Sequence, residues 1–167
     1  DFETAEVAIK AGMTGHLVIS TLHTNDAPSS INRLMNMGIE PFLVATSVNL
    51  VVAQRLIRRV CEKCKAPEDV PLQALLNVGF SEAEAPNIQL YRGRGCEECN
   101  QTGYRGRVAV YELLAVTPEL RRLITMGAPG DQLREQATRD GMVALTQEAL
   151  RHARAGVTSL AEAYRVR

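Results

Sequence analysis

The four cysteines of the chain form two pairs with the spacing of metal ligands. Two residues separate Cys61 from Cys64 and Cys96 from Cys99, and 31 residues (65–95) lie between the pairs. Two residues between thiolates allow one tight turn to direct both sulfurs at a single ion, so two such turns can complete a tetrahedral zinc site. Four thiolates leave no position for water or substrate, so the predicted role of the zinc is structural.

The same spacing admits two other interpretations. A rubredoxin-like iron site uses the same four thiolates, but nothing else in the sequence indicates electron transfer, so zinc is favoured. Disulfides are disfavoured because residues 1–10 are charged and amphipathic rather than signal-like. Residues 1–10 therefore predict a cytosolic chain, in which thiols stay reduced.

Two histidines flank an apolar run near the N-terminus. His16 precedes Leu17, Val18 and Ile19, and His23 lies in the polar stretch that follows them. The run predicts a strand over residues 16–21 that is buried on both faces in a parallel sheet. Ligands of open α/β sheets bind at the carboxyl edge of such strands, which favours a functional role for His23. For His16, a structural role at the start of the strand is an equally good interpretation.

The first third of the chain predicts helices on either side of that strand. One helix is expected over residues 3–11, a second after the capping residue Asp26 and before Gly38, and a third from Pro41 to about Gln54. Helix, buried strand and helix form the pattern of an α/β sheet with crossover helices. One strand cannot complete such a sheet, so we expect the chain to be part of a longer protein.

The remainder changes character at Cys61. Residues 61–106 are rich in glycine and proline, residues 107–113 alternate like a strand, and the pattern is then helical. Thr117 and Thr158 are predicted to cap helices, and Gly156 to end one. We therefore predict three domains, at residues 1–60, 61–106 and 107–167.

Composition limits the possible partners. Of the 167 residues, 46% are hydrophobic and 23% charged, with 19 Lys and Arg against 19 Asp and Glu. Zero net charge and only 4% aromatic residues count against a nucleic-acid partner. The alternative is a freestanding zinc-ribbon module for protein interaction or nucleic-acid binding. Its one supporting feature is a local basic cluster formed by Arg92, Arg94, Arg105 and Arg107.

Several long motifs resemble one family. The histidine segment TGHLVISTLHTNDAPSSINRLMNMGIEPF closely resembles the histidine-box region of the GspE/PilB ATPases, which drive type II secretion and type IV pilus assembly. The stretches VAQRLIRRVC and GYRGRVAVYELL, the cysteine motif and the terminal helices are similar to that family as well. The resemblance covers essentially the whole chain.

The resemblance implies both a fold and an activity. The expected fold is α/β, the C-terminal end of a RecA-like ATPase core, followed by a tetracysteine zinc-knuckle insertion and an all-helical tail. The GxxxxGK[ST] loop and the Walker B glutamate of the family would precede Asp1. ATP and Mg²⁺ are therefore expected only in the full-length protein, and the chain alone is predicted to be inactive. By resemblance, His23 and His16 would be catalytic residues near the γ-phosphate, where an imidazole donates a hydrogen bond to developing charge.

The resemblance also implies partners and a location. The parent protein would be a homo-hexamer that acts on an inner-membrane platform protein of the pilus or secretion machine. It would be cytoplasmic and peripheral at the inner membrane, with no direct contact to nucleic acid. Zinc would be its structural metal.

Overall fold

The computed structural model describes residues 1–166 and contains eight α-helices and four strands in that range. In chain order they are α1 Phe2–Met13, α2 Ala27–Asn36, α3 Pro41–Ser47, β1 Leu50–Val60, β2 Lys65–Glu68, α4 Leu72–Asn77, β3 Leu90–Gly93, β4 Tyr104–Ala115, α5 Pro118–Thr125, α6 Gly130–Arg139, α7 Leu145–Arg154 and α8 Leu160–Tyr164. None of these helices combines the length and the hydropathy that a membrane span requires. The strands form two separate pairs, β1 with β4 and β2 with β3.

The chain divides into two compact units, each assembled from two separated stretches. Unit 1 comprises Asp1–Gln54 and Tyr111–Ala144, and unit 2 comprises Arg55–Val110 and the residues from Leu145 to the end of the described chain. This grouping does not follow the three consecutive domains expected from the sequence, because β1 and β4 each continue from one unit into the other. The four helices after β4 are also shared between the units. The three-domain division therefore stays a prediction.

The helix caps of unit 1 follow the sequence closely. Asp1 accepts a hydrogen bond from the Thr4 amide at 2.9 Å and begins α1. Asp26 caps α2 in a capping box with Ser29, and Gly38, with a φ of 97°, follows its end. These caps satisfy amide groups that a helix end leaves without partners, so local sequence alone places both helices.

A single apolar core stabilises unit 1. Helices α1, α2, α3, α5 and α6 and the C-terminal half of β4 contribute to it. Its buried members are Ile9, Ala27, Ile31, Ile39, Val44, Ala45, Leu114, Val116, Leu120, Ile124, Ala128, Leu133, Ala137 and Met142. Most are aliphatic, as expected for a chain with few aromatic residues.

The predicted third helix is wrong beyond Ser47. Helix α3 ends there, and β1 begins at Leu50. Along β1, exposed positions such as Val52 and Leu56 alternate with more buried ones, a period of two that belongs to a strand. Two backbone hydrogen bonds beside the pair, Val116 N to Asn49 O at 2.9 Å and Cys61 N to Gly103 O at 3.0 Å, show that β1 and β4 run antiparallel.

The buried parallel strand expected over residues 16–21 is also wrong for this chain. Residues 16–24 form no regular secondary structure, and Leu17 and Ile19 are 90% and 87% exposed. A strand needs the amide and carbonyl groups of a neighbour, and neither strand pair among residues 1–166 includes this segment. An apolar, β-branched composition is therefore not sufficient to form a strand here.

An ion pair connects β1 to α8 within unit 2. The carboxylate of Glu162 accepts hydrogen bonds from Arg58 Nε at 3.0 Å and Nη2 at 2.6 Å, and from the Arg58 amide at 3.1 Å. The α8 N-cap is Ser159 rather than the expected Thr158, because the Thr158 hydroxyl instead donates to the carbonyl of Arg58 at 2.8 Å. Burial raises the pKa of Glu162, but the hydrogen bonds and charge of Arg58, together with the charge of Arg165, lower it by a larger amount, so its pKa lies below the usual value.

We expect Glu162→Gln to destabilise the chain by about 2 kcal/mol at pH 7. This is less than the 3–5 kcal/mol of a fully buried pair, because the Arg58 side chain is 42% exposed. The lowered pKa makes the contribution of Glu162 complete above its unfolded pKa of about 4.3 and lost as the pH falls through the folded pKa. Chemical denaturation of both forms between pH 7 and pH 3 should therefore show the difference in unfolding free energy shrinking below about pH 4.3.

Glu119→Gln provides the control for this measurement. Its ion pair with Arg122 has the same 2.6 Å length but is exposed on both sides. We expect a much smaller loss there, because solvent screens exposed pairs. Equal losses for the two variants would contradict the role assigned to burial of Glu162.

Candidate metal centre and histidine segment

The four cysteine sulfurs lie together in unit 2. All four are within 4.8 Å of one another. Sγ–Sγ distances are 3.9 Å for Cys61 and Cys96, 3.9 Å for Cys64 and Cys99, and 3.7 Å for Cys96 and Cys99. No disulfide joins them, and Cys61 and Cys99 are buried. The structure thus brings together every residue that the spacing selected as a metal ligand.

The arrangement of the sulfurs fits a tetrahedral ion. Zinc–thiolate bonds of about 2.3 Å directed to the corners of a tetrahedron separate neighbouring sulfurs by about 3.8 Å. The three Sγ–Sγ distances of 3.7, 3.9 and 3.9 Å agree with this value. The four thiols could hold one ion, and the donor set is that of a structural site.

Backbone amides support the charge of Cys99 in particular. Its sulfur accepts hydrogen bonds from the amides of Cys96 and Gly103, both at 3.2 Å. Burial raises the pKa of Cys99, but these amides and the neighbouring thiols lower it to about 6. Burial raises the pKa of Cys64, and that of Cys96 to about 11. Cys99 is therefore better prepared than Cys64 or Cys96 to bind a cation as a thiolate, and filling the site must release protons from those two thiols.

Two glycines allow the segments around the second cysteine pair to touch. A Cβ atom on Gly93 would lie 1.9 Å from the carbonyl oxygen of Gly103. Gly93 pairs with Lys65 in the antiparallel β2–β3 ladder, and the Gly103 carbonyl accepts the amide of Cys61. Both segments are thus held by backbone hydrogen bonds, and no side chain larger than hydrogen fits between them.

Both candidate histidines lie on the exposed segment of residues 16–24. His16 Nδ1 is 3.0 Å from the hydroxyl oxygen of Thr14, and the side chain of His23 is exposed. Next to His23, the Thr24 hydroxyl lies 2.6 Å from that of Ser30, which joins the end of the segment to α2. The catalytic roles of His16 and His23 stay predictions.

A buried glutamate meets the start of α2. Glu112 on β4 is 1% exposed, and its Oε1 accepts the amide of Ala27 at 2.8 Å. Arg134 of α6 contacts both acidic groups at this helix start, with Nη1 3.7 Å from Glu112 Oε2 and Nη2 2.8 Å from Asp26 Oδ2. A side chain of β4 therefore contacts Ala27 and a side chain of α6 contacts Asp26, the two residues at which α2 begins.

Sequence reasoning did not identify Glu112 or Arg134. Along β4 the buried positions are Val110, Glu112 and Leu114, so a carboxylate occupies the apolar face of the strand. A charged residue in phase with buried ones is unusual unless it is paired. The position of Glu112 in this alternation is the sequence signal that could have identified it.

Known proteins match this chain over almost its whole length. The family described as "Type II/IV secretion system protein" matches residues 1–165. The type IV pilus assembly ATPase PilB of Myxococcus xanthus is 50% identical over 163 residues, covering 97% of this chain and 29% of that protein. The type II secretion system ATPase E of Vibrio cholerae is 43% identical over 166 residues, covering 99% of this chain and 32% of that protein.

A solved structure resembles the fold. The ATPase DotB of Yersinia pseudotuberculosis has a TM-score of 0.64 and 19% identity, covering 99% of this chain and 34% of that one. At this identity the likeness concerns the fold alone, and it supports an ATPase-domain fold of mixed α/β type. The chain spans about a third or less of the length of each relative.

Proposed function

Because the chain belongs to the type II/IV secretion system protein family, in the GspE/PilB group of ATPases, we propose that it is the C-terminal zinc-binding part of a hexameric motor ATPase. The parent would power type IV pilus assembly or type II secretion. The observation that carries this proposal is the family match over residues 1–165, with 50% identity to a pilus assembly ATPase. The four-sulfur cluster supports the zinc-binding part of the proposal.

The zinc in this proposal stabilises the fold and takes no part in the reaction. Cys61, Cys64, Cys96 and Cys99 would fill all four positions of a tetrahedral ion, which leaves none for a water molecule or a phosphate oxygen. The ion would join two turns that lie 35 residues apart in the chain. Its contribution is therefore to the stability and shape of unit 2.

The catalytic part of the proposal concerns the full-length protein. ATP and Mg²⁺ would bind mainly to residues outside this chain, and His23, with His16, would donate hydrogen bonds near the γ-phosphate. The chain alone would not hydrolyse ATP. The parent would be a cytoplasmic homo-hexamer, peripheral at the inner membrane, whose partner is the platform protein of the pilus or secretion machine.

A freestanding nucleic-acid-binding module is disfavoured. Its support was the cluster of four arginines, and one of them, Arg105, forms an ion pair with Glu98. The family match also extends through both units rather than over the cysteine segment alone.

The experiment that tests the proposal is ATP turnover by the full-length protein with His23→Ala. We expect kcat to fall about 100-fold while nucleotide affinity changes less than about twofold, because a donor directed at developing charge acts in the transition state. Steady-state phosphate release and equilibrium binding of a fluorescent nucleotide measure the two quantities.

His152→Ala is the matched control, because His152 lies on α7 next to Glu148 and outside the histidine segment. Its turnover should equal that of the unmodified protein. Parallel losses of turnover and nucleotide affinity in His23→Ala would show that His23 is structural. Phosphate release by the repurified 167-residue chain alone would contradict the assignment of the ATP site to the rest of the parent.

A further inference from the structure

We propose that Glu112 is a positioning residue for the histidine segment, acting through the first amide of α2. This inference rests on the proposed function, since it concerns how His23 is held for the reaction. His23 lies four residues before Ala27, and the residues between them include Asp26, the cap of α2. Whatever holds the first turn of α2 therefore sets where the histidine segment ends.

The contact between Glu112 and Ala27 satisfies a group that solvent cannot reach. Ala27 is fully buried, and its amide is one of those at a helix start that have no partner within the helix. Glu112 Oε1 accepts it at 2.8 Å from a strand 85 residues away in sequence. Without this acceptor the amide would be buried and unpaired, which favours displacement of the helix start.

Neighbouring contacts extend this support toward His23. Arg134 bridges Glu112 and Asp26, and Asp26 Oδ1 in turn accepts the amide of Ser29 at 2.8 Å. The hydroxyl of Thr24, the residue that follows His23, lies 2.6 Å from the hydroxyl of Ser30. The Ser30 hydroxyl also donates to the Asp26 carbonyl at 3.2 Å, so polar contacts within unit 1 connect the buried carboxylate to Thr24, the residue that follows His23.

The same contacts make the start of α2 a poor site for phosphate. A helix N-terminus often binds anions through its free amides. Here two carboxylates, from Asp26 and Glu112, already accept first-turn amides and bring negative charge. A nucleotide near this segment would therefore be contacted by side chains such as His23 rather than by helix amides, which makes the position of the segment important for turnover.

Two substitutions of similar size separate the hydrogen bond from the packing. Glu112→Gln keeps a carbonyl oxygen that can accept the Ala27 amide, whereas Glu112→Met fills the same volume without an acceptor. In the full-length protein we expect kcat to fall about tenfold in Glu112→Met, with KM for ATP changed less than twofold, and to stay within about twofold of the unmodified value in Glu112→Gln. Glu119→Gln, on the surface of α5, should leave turnover unchanged.

Hydrogen exchange provides a readout that does not depend on activity. In the full-length protein, a peptide covering residues 24–30 should exchange about tenfold faster in Glu112→Met than in Glu112→Gln. The double variant His23→Ala with Glu112→Met should lose little more turnover than His23→Ala alone, because both changes disable the same donor.

Three results would overturn the inference. They are equal turnover in Glu112→Met and Glu112→Gln, unchanged exchange over residues 24–30, and full additivity with His23→Ala. A fourth result has a different meaning. If His23→Ala keeps full turnover, the proposed role of His23 is wrong, and the exchange measurement then decides separately whether Glu112 holds the segment.

Discussion

Replacing Cys99 by serine is expected to lower bound zinc from about one equivalent per chain to below a tenth of an equivalent and to unfold much of unit 2. Cys99 has the lowest thiol pKa of the shifted cysteines, about 6, and its sulfur accepts two backbone amides. A serine hydroxyl is neither a thiolate nor long enough to replace it. Since structural zinc contributes about 10–16 kcal/mol in small zinc domains, loss of one ligand should cost more than about 4 kcal/mol.

Elemental analysis of the 167-residue chain measures its bound zinc, and denaturant unfolding measures its stability. Glu98→Gln is the control, because Glu98 lies between Cys96 and Cys99 but contributes no sulfur. It should keep its metal and its stability. One equivalent of iron in place of zinc would support the rubredoxin-like alternative, and a Cys99→Ser variant with full metal content and unchanged stability would refute the site.

Gly93→Ala is expected to destabilise unit 2 by about 3 kcal/mol and to weaken zinc binding as well. The new methyl group would lie 1.9 Å from the Gly103 carbonyl oxygen, so one of the two backbones must move. Moving Gly103 disturbs the amide that it donates to Cys99 and the carbonyl that accepts the amide of Cys61. Thermal unfolding and competition with a chromophoric zinc chelator test the two consequences.

Gly106→Ala is the control, because it introduces backbone strain without a steric clash. Gly106 has a φ of 79°, which disfavours alanine, but its Cβ would meet only Arg59 Cδ at 4.0 Å. We expect a cost of about 1 kcal/mol and unchanged zinc affinity. Equal effects of the two substitutions would show that the close approach at Gly93 is not the determining feature.

The elements that the sequence predicted correctly are those whose causes are local. Asp26 caps α2 with its own side chain, and Thr117 caps α5 in the same way. Gly156, with a φ of 66°, follows α7, as its position at the end of the helical pattern predicted. Each of these signals lies within four residues of the structure that it determines.

The elements predicted incorrectly are those that depend on distant partners. Residues 16–21 have the composition of a buried strand but form none, because no described strand pairs with them. The sequence pattern predicts a helix through residues 50–54, although pairing with β4 makes them part of β1. Apolar composition alone does not distinguish a helix from a strand in a short run.

By itself, the sequence selected the four cysteines that the structure brings together, and it identified the family. Each CxxC pair is a local turn, so spacing was enough to select all four cysteines, and motif identity over residues 1–165 was enough to identify relatives. Only the tertiary structure showed that Glu112 accepts the Ala27 amide and that Arg58 pairs with Glu162. These partners lie 85 and 104 residues apart. Their interaction depends on strands and helices packing first, because the local sequence around a buried polar group does not indicate which distant residue it contacts.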